Sequence, residues 1–124
     1  MRRKTEARKE SGSSLGPVKS EHLFHRMHDF RNYMEKRVLA TVYGLVQGVG
    51  FRMFVEQRAS QTGLKGTVRN MPNGTVEIDA QGPEGLVNEL LKNVRTGPPA
   101  SKVSALDVVP QPPDHTMKGF RIMQ

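Results

Sequence analysis

The sequence contains no cysteine and no tryptophan, and only 6% of its residues are aromatic. Without cysteine the chain cannot form a disulfide, offer a thiol nucleophile or bind a metal through thiolates, and this composition fits a reducing compartment. No apolar stretch approaches the roughly 20 residues that a membrane-spanning helix needs. The N-terminus is rich in Arg and Lys, but it carries Glu6 and Glu10 and lacks the apolar core of a signal peptide. We therefore expect a cytoplasmic protein.

The net charge of +7 is spread unevenly along the 124 residues. Residues 1–37 contain 10 Lys and Arg against 5 Asp and Glu, whereas residues 38–124 contain 9 against 7. The basic character therefore belongs mainly to the N-terminal part and says little about what the rest of the chain binds. The length is sufficient for one domain with a modest core.

Residues 1–36 are predicted to be a basic N-terminal extension. Residues 1–19 have almost no apolar side chains to bury, so we expect them to be disordered. Residues 21–36 can form a helix, because apolar side chains recur on one helical face and Ser20 is a suitable N-cap. The apolar residues of this face are Leu23, Met27, Phe30 and Met34.

Three histidines in this segment, His22, His25 and His28, are spaced in a way that invites a metal site. At 3.6 residues per turn, the first and the third diverge around the helix, so only neighbouring pairs could share an ion. We expect a solvated polar face here and no metal site.

Residues 37–124 are predicted to form the domain, with strands and helices marked by apolar periodicity. Strands are predicted at 37–44, 64–71, 75–80, 103–109 and 119–123, and helices at 53–62 and 83–96. Pro72-Asn73-Gly74 predicts a tight two-residue hairpin turn, because Asn-Gly readily adopts positive φ. The order β-α-β-β-α-β plus a short C-terminal strand predicts an α+β, ferredoxin-like sandwich, an antiparallel sheet with two helices on one face.

The segment from Gly44 to Arg52 joins the first predicted strand to the first predicted helix. Backbone N–H groups at a helix N-terminus are unpaired, and the helix dipole favours negative charge there. Gly48 and Gly50 let the main chain approach a ligand closely, and Arg52 adds a planar guanidinium that matches phosphate oxygens. This segment is therefore predicted to bind phosphate.

Two motifs resemble those of the acylphosphatase family. The first, Gly-x-Val-Gln-Gly-Val-x-Phe-Arg, is matched from Gly44 to Arg52. The second is Gly-Leu-x-Gly-x-Val-x-Asn, followed after a turn by Gly-Thr-Val. It is matched at Gly63, Leu64, Gly66, Val68, Asn70, Gly74, Thr75 and Val76. With further similar segments at 81–82, 97–100 and 120–122, the resemblance covers residues 38–124.

The resemblance implies an enzyme that hydrolyses the carboxyl–phosphate bond of acyl phosphates without a metal or cofactor. It implies that Arg52 holds the phosphoryl group and that Asn70 orients the attacking water. The phosphoryl oxygens would be bound by the N–H groups of Gln47, Gly48, Val49, Gly50 and Phe51. A carboxylate leaving group has a pKa of about 4 and departs without a proton donor, so the site needs no general acid. Inorganic phosphate is the expected product and competitive inhibitor, and the expected state is a monomer.

Two positions depart from the family pattern. Gly50 stands where many relatives carry an aromatic residue, and this glycine is expected to loosen the loop. Thr67 stands where tryptophan is frequent. The first motif is also similar to that of the N-terminal acylphosphatase-like domain of hydrogenase maturation carbamoyltransferases. Met34 and the residues after it resemble a family N-terminus, so residues 1–33 are expected to be dispensable for the chemistry.

Two other functions remain open at this point. A ferredoxin-like domain can bind RNA, and Gly63-Leu64-Lys65-Gly66 mimics the GxxG loop of KH domains. A KH loop joins two helices, however, and the predicted strands carry only Tyr43 and Phe120 as aromatic residues, which disfavours a nucleic-acid partner. A module that binds phosphate or carbamoyl phosphate without turnover is the second alternative.

Overall fold

The computed structural model of the protein describes residues 33–124, which form five strands and two helices. The strands are β1 (Glu35–Leu45), β2 (Lys65–Asn70), β3 (Val76–Pro83), β4 (Lys102–Gln111) and β5 (Phe120–Met123). The helices are α1 (Phe51–Gln61) and α2 (Glu84–Thr96). Neither of these two helices is long and apolar enough to cross a membrane.

Most of the predicted N-terminal extension lies outside the described residues. This applies to residues 1–32, and therefore to the three histidines and to most of the helix predicted at 21–36. The last two residues of that predicted helix, Glu35 and Lys36, belong to β1, where they pair with Pro83 and Gly82 of β3.

The five strands form one sheet in the order β4-β1-β3-β2-β5. β1 pairs antiparallel with β3 and with β4, and β2 pairs antiparallel with β3, as a ferredoxin-like sandwich requires. β5 pairs parallel to β2, with Phe120 opposite Gly66, so the sheet is mixed at this edge. The predicted α+β, ferredoxin-like class is confirmed, and the antiparallel arrangement holds for the first four strands.

The hydrophobic core lies between the sheet and the two helices. Alternate residues of β1, among them Val38 and Val42, are fully buried, as expected for a strand with one covered face. α2 contributes the buried side chains of Val87, Leu90 and Val94. Burying a side chain of this kind stabilises the fold by roughly 1.5–3 kcal/mol.

α1 begins at Phe51, two residues before the predicted start at 53. Its buried face is formed by Phe51, Val55 and Ala59, which follow one another at a spacing of four. Phe54, predicted to point inward, is only half-buried, and the guanidinium of Arg58 lies 3.8 Å from the centre of its ring. The earlier start places position 52 inside the first helical turn, where backbone N–H groups are unpaired.

The hairpin between β2 and β3 is wider than predicted. The Gly74 N–H donates to the Met71 carbonyl (3.0 Å), so the turn runs from Met71 to Gly74, with Pro72 at its second position. The Met71 N–H then donates to the Thr75 carbonyl (2.8 Å) and closes the loop. This pattern fits a three-residue loop, in which a turn is followed by a residue with positive φ, here 92° at Gly74. The predicted two-residue turn is therefore wrong.

The connection between β4 and β5 is tied to the sheet by two polar side chains. Gln81 is 1% exposed; its amide donates to the Asp114 carbonyl (3.0 Å) and accepts from the Asp114 N–H (2.7 Å). Arg37 donates two hydrogen bonds to Asp79 (3.0 and 2.8 Å) and a third to the Pro112 carbonyl (3.2 Å). These contacts fix the path of the chain that leads into β5.

Candidate active site

The loop between β1 and α1 turns at two glycines in the left-handed region. Gly48 has φ 74° and Gly50 has φ 77°, a conformation that costs other L-residues about 1–2 kcal/mol. A Cβ built on either glycine would meet no atom within 4 Å. Backbone conformation, rather than lack of space, therefore favours glycine here, and the space beside the loop is open.

The N-terminus of α1 presents unpaired backbone donors to this open space. Gly50 precedes the helix and has no side chain to cap it. The first helical bond runs from the Phe54 N–H to the Gly50 carbonyl (3.0 Å), which leaves the preceding helical N–H groups without an acceptor in the helix. The first turn contains no acidic residue. The helix dipole and these donors together favour an anion.

Arg52 lies in the first turn of α1 and is half-buried. Its Nη1 donates to the Met123 carbonyl of β5 (3.3 Å), which holds the guanidinium against the sheet edge. The two ion pairs found within residues 33–124 involve other arginines. No carboxylate in this part of the chain therefore neutralises Arg52, and its charge can act on a bound anion.

Arg52 and Asn70 line the same cavity, which has a volume of about 240 Å³. Asn70 is the last residue of β2, and β2 lies beside β5, against which α1 packs. The cavity is lined by Val46, Gly48, Gly50, Phe51, Arg52, Met53, Asn70, Ile122 and Gln124. The sheet order thus joins the loop, the helix start and the end of β2 at one place.

Five of the predicted site residues line this cavity, namely Gly48, Gly50, Phe51, Arg52 and Asn70. Two do not. The Gln47 side chain turns to the hairpin, where Nε2 donates to the carbonyls of Met71 (2.8 Å) and Thr75 (2.9 Å). Val49 is half-buried and packs against the core. The amide of Gln47 therefore connects the loop to the hairpin that follows Asn70.

Four lining residues were not predicted from sequence: Val46, Met53, Ile122 and Gln124. Met53 follows Arg52 in the first turn of α1, so a correct prediction of the helix start would have placed Met53 beside the site. Ile122 reaches the cavity because β5 pairs parallel to β2, with Ile122 opposite Val68. No local pattern in the sequence specifies that pairing.

The rest of the described surface offers weaker candidates. A cavity of about 370 Å³ lies between α1 and α2 and includes Arg58, whose guanidinium is stacked on Phe54. It adjoins the C-terminal half of α1, where the helix dipole disfavours anions. Within residues 33–124, no three His, Cys, Asp or Glu side chains come together as metal ligands would.

Comparisons with known proteins agree with the motifs. The sequence model of the acylphosphatase family matches residues 38–122. The acylphosphatase of Chlorobaculum tepidum is 51% identical over 89 residues, which are 72% of this chain and 97% of the relative. That of Caldivirga maquilingensis is 47% identical over 87 residues, 69% of this chain and 92% of the relative.

Solved structures give the same picture. The crystal structure of acylphosphatase from Bacillus subtilis is 37% identical, has a TM-score of 0.69 and covers 73% of this chain and 100% of its own. Full-length HypF in a phosphate- and nucleotide-bound form is 28% identical with a TM-score of 0.67, but only 12% of its chain is matched. The family match, the relatives and the shared architecture show that this chain belongs to the acylphosphatase family.

Proposed function

We propose that the protein is a metal-independent acylphosphatase, which hydrolyses an acyl phosphate to a carboxylate and inorganic phosphate. The observation that carries this proposal is the cavity at the start of α1, where Arg52 and Asn70 meet unpaired backbone N–H groups. The same activity is named for relatives that match most of the domain.

The phosphoryl group would be held by the loop, the first turn of α1 and Arg52. Its charge is spread over three oxygens, and each needs a donor that is already in place before the transition state forms. The loop supplies backbone donors, and the contact between Nη1 of Arg52 and the Met123 carbonyl restrains the guanidinium. Binding of this kind strengthens as the bond to the leaving carboxylate breaks.

Asn70 would orient the attacking water through its carboxamide. The water oxygen forms the new bond to phosphorus, and the bond between phosphorus and the acyl oxygen breaks with its electron pair on the carboxylate. An amide does not accept the proton of the water, so that proton passes to a phosphoryl oxygen of the substrate. The leaving carboxylate has a pKa of about 4 and needs no proton at neutral pH.

The structure does not favour the nucleic-acid alternative. The segment from Gly63 to Gly66 joins α1 to β2, not one helix to another, so it is not a KH loop. Phe120 is 7% exposed and cannot stack on a base. Tyr43 donates its hydroxyl proton to Asp107 (3.3 Å), whose charge raises the pKa of Tyr43. A single exposed tyrosine on the sheet is not a stacking platform.

Hydrolysis of benzoyl phosphate by the purified protein in the presence of a chelator tests the proposal. We expect turnover, and the chelator should not reduce it. Phosphate should inhibit the reaction competitively, and Arg52→Ala should abolish it. A protein without turnover whose melting temperature still rises with phosphate would instead be the binding module. An anion at a hundredfold excess over its Kd stabilises the folded state by about 2.7 kcal/mol.

We also propose that the protein is a monomer in the cytoplasm. The cysteine-free sequence suits a reducing compartment. Arg52 and Asn70 of one chain line the same cavity, so the two proposed catalytic residues do not require a second copy. Light scattering coupled to size-exclusion chromatography, with activity measured across the peak, tests the oligomeric state.

A further inference from the structure

The cavity has an apolar wall that the chemistry at phosphorus does not require. Met53 on α1 is 59% exposed and Ile122 on β5 is 37% exposed, and both line the cavity that contains Arg52. Large apolar side chains exposed beside a concave site commonly mark a ligand contact. They come from two different elements, α1 and β5, which the hydrogen bond from Arg52 to the Met123 carbonyl also joins.

The polar side chains of the cavity are few, and two of them already have roles. The side chains of Arg52 and Asn70 act on the phosphoryl group and the water in the proposed mechanism, which leaves Gln124 as the third polar lining residue. Among the described lining residues there is no second cation to pair with a carboxylate on the acyl group. An acyl group held beside the phosphoryl site therefore meets methionine and isoleucine.

We propose that Met53 and Ile122 form an acyl subsite that selects acyl phosphates with a compact apolar acyl group, such as a benzoyl group or a branched aliphatic acyl group. Small polar or anionic acyl groups, as in carbamoyl or succinyl phosphate, are disfavoured. This inference rests on the proposed function, because it assigns the part of the substrate that extends from the bound phosphoryl group. A cavity of about 240 Å³ accommodates a phosphoryl group with an acyl group of this size.

The test compares kcat/KM of the full-length protein for benzoyl, acetyl, carbamoyl and succinyl phosphate. Burial of a phenyl ring against two apolar side chains is expected to favour benzoyl over acetyl phosphate by about tenfold to a hundredfold. Met53→Ser and Ile122→Ser should each lower the benzoyl-to-acetyl ratio by about threefold to tenfold. Met53→Leu, which keeps a large apolar side chain, should keep the wild-type ratio. When the benzoyl-to-acetyl ratio of a variant is compared with that of the wild type, the intrinsic reactivity of the two substrates cancels.

The matched control is Val109→Ser, since Val109 is 52% exposed on β4 and does not line the cavity. This variant should leave the ratio unchanged. A wild-type ratio near one, or an equal loss for both substrates in Met53→Ser, would overturn the subsite.

A pair of phosphonates that the protein cannot hydrolyse separates this inference from the proposed function. Benzylphosphonate should raise the melting temperature at lower concentration than methylphosphonate, and Met53→Ser should reduce that difference. If no acyl phosphate is hydrolysed but benzylphosphonate binds more tightly, the proposed activity is wrong and the apolar subsite stands. If hydrolysis occurs and both phosphonates bind equally, the activity stands and the subsite is wrong.

Discussion

Arg52 approaches the cavity from a helix and Asn70 from a strand, and we expect their loss to affect different kinetic constants. A guanidinium that grips the phosphoryl group acts both before and during transfer. Arg52→Ala should therefore weaken phosphate inhibition and lower kcat by about 10³–10⁵. Arg52→Lys should recover little, because an ammonium group cannot reproduce the planar two-pronged contact.

Asn70→Ala should lower kcat by about 10²–10³ while the inhibition constant of phosphate changes little. The physical reason is that phosphate, the product, binds without an attacking water. Since Asn70 borders the hairpin, the melting temperature of the variant must be measured alongside. A well-folded variant that keeps its kcat but loses phosphate affinity would make Asn70 a second binding group.

Gln47 is predicted to act as a positioning residue. Its Nε2 donates to carbonyls at both ends of the hairpin loop, at Met71 and Thr75, and so fixes the distance between the loop that precedes α1 and Asn70. Gln47→Glu keeps the length of the side chain but replaces the two donated hydrogen bonds with a carboxylate that faces two carbonyl oxygens. We expect kcat to fall by about tenfold or more, with a smaller change in phosphate inhibition. Gln61→Ala, on the exposed end of α1, is the control and should change neither.

Elements differed in how well the sequence predicted them. α2 was predicted within one residue, because its apolar stripe is clear and it is bounded by Pro83 and Gly97. The predicted start of α1 is two residues late, because the sequence does not show that Gly50 adopts the left-handed conformation that ends the loop directly before the helix. The parallel edge strand β5 could not be assigned to β2, since pairing between distant segments depends on tertiary packing and not on local periodicity.

The connection before β5 gives a prediction about acid stability. The Thr116 hydroxyl (2.6 Å) and N–H (2.9 Å) donate to Asp114 Oδ1, which lowers the pKa of Asp114 below its ordinary 3.8. A carboxylate with a lowered pKa in the folded state adds stability at neutral pH, and that stability is lost as pH falls through the lower value. Asp114→Ala should therefore melt below wild type at pH 7, and the gap should narrow towards pH 2.

Melting curves of both proteins between pH 7 and pH 2 measure this gap. Asp114→Asn keeps a hydrogen-bond acceptor without the charge, so its melting temperature should stay closer to wild type at neutral pH. A gap between wild type and Asp114→Ala that stays constant with pH would show that the ionised carboxylate is not the stabilising group.

For the whole molecule, we predict that the N-terminal extension is dispensable for chemistry. The Met34 carbonyl accepts a hydrogen bond from the Glu84 N–H at the start of α2 (2.8 Å), so a protein that starts at Met34 retains this contact. Its kcat/KM should lie within about twofold of the full-length value, with cooperative melting retained. A tenfold loss would contradict the prediction. A shorter protein that starts at Val38, and so lacks the first residues of β1, should lose stability and serves as the comparison.

The sheet order has a consequence for how the molecule is made. β1, the first strand of the domain to be synthesised, needs β3 on one side and β4 on the other, and the cavity also needs β5. Pairs of distant segments form slowly, because the entropy lost on closing the intervening chain precedes the gain from their contacts. At a synthesis rate of about 5–20 residues per second, the edge of β1 that pairs with β4 lacks its partner for several seconds before β4 exists. Turnover can begin only after the last strand has docked, so the appearance of activity during synthesis would report the completion of folding.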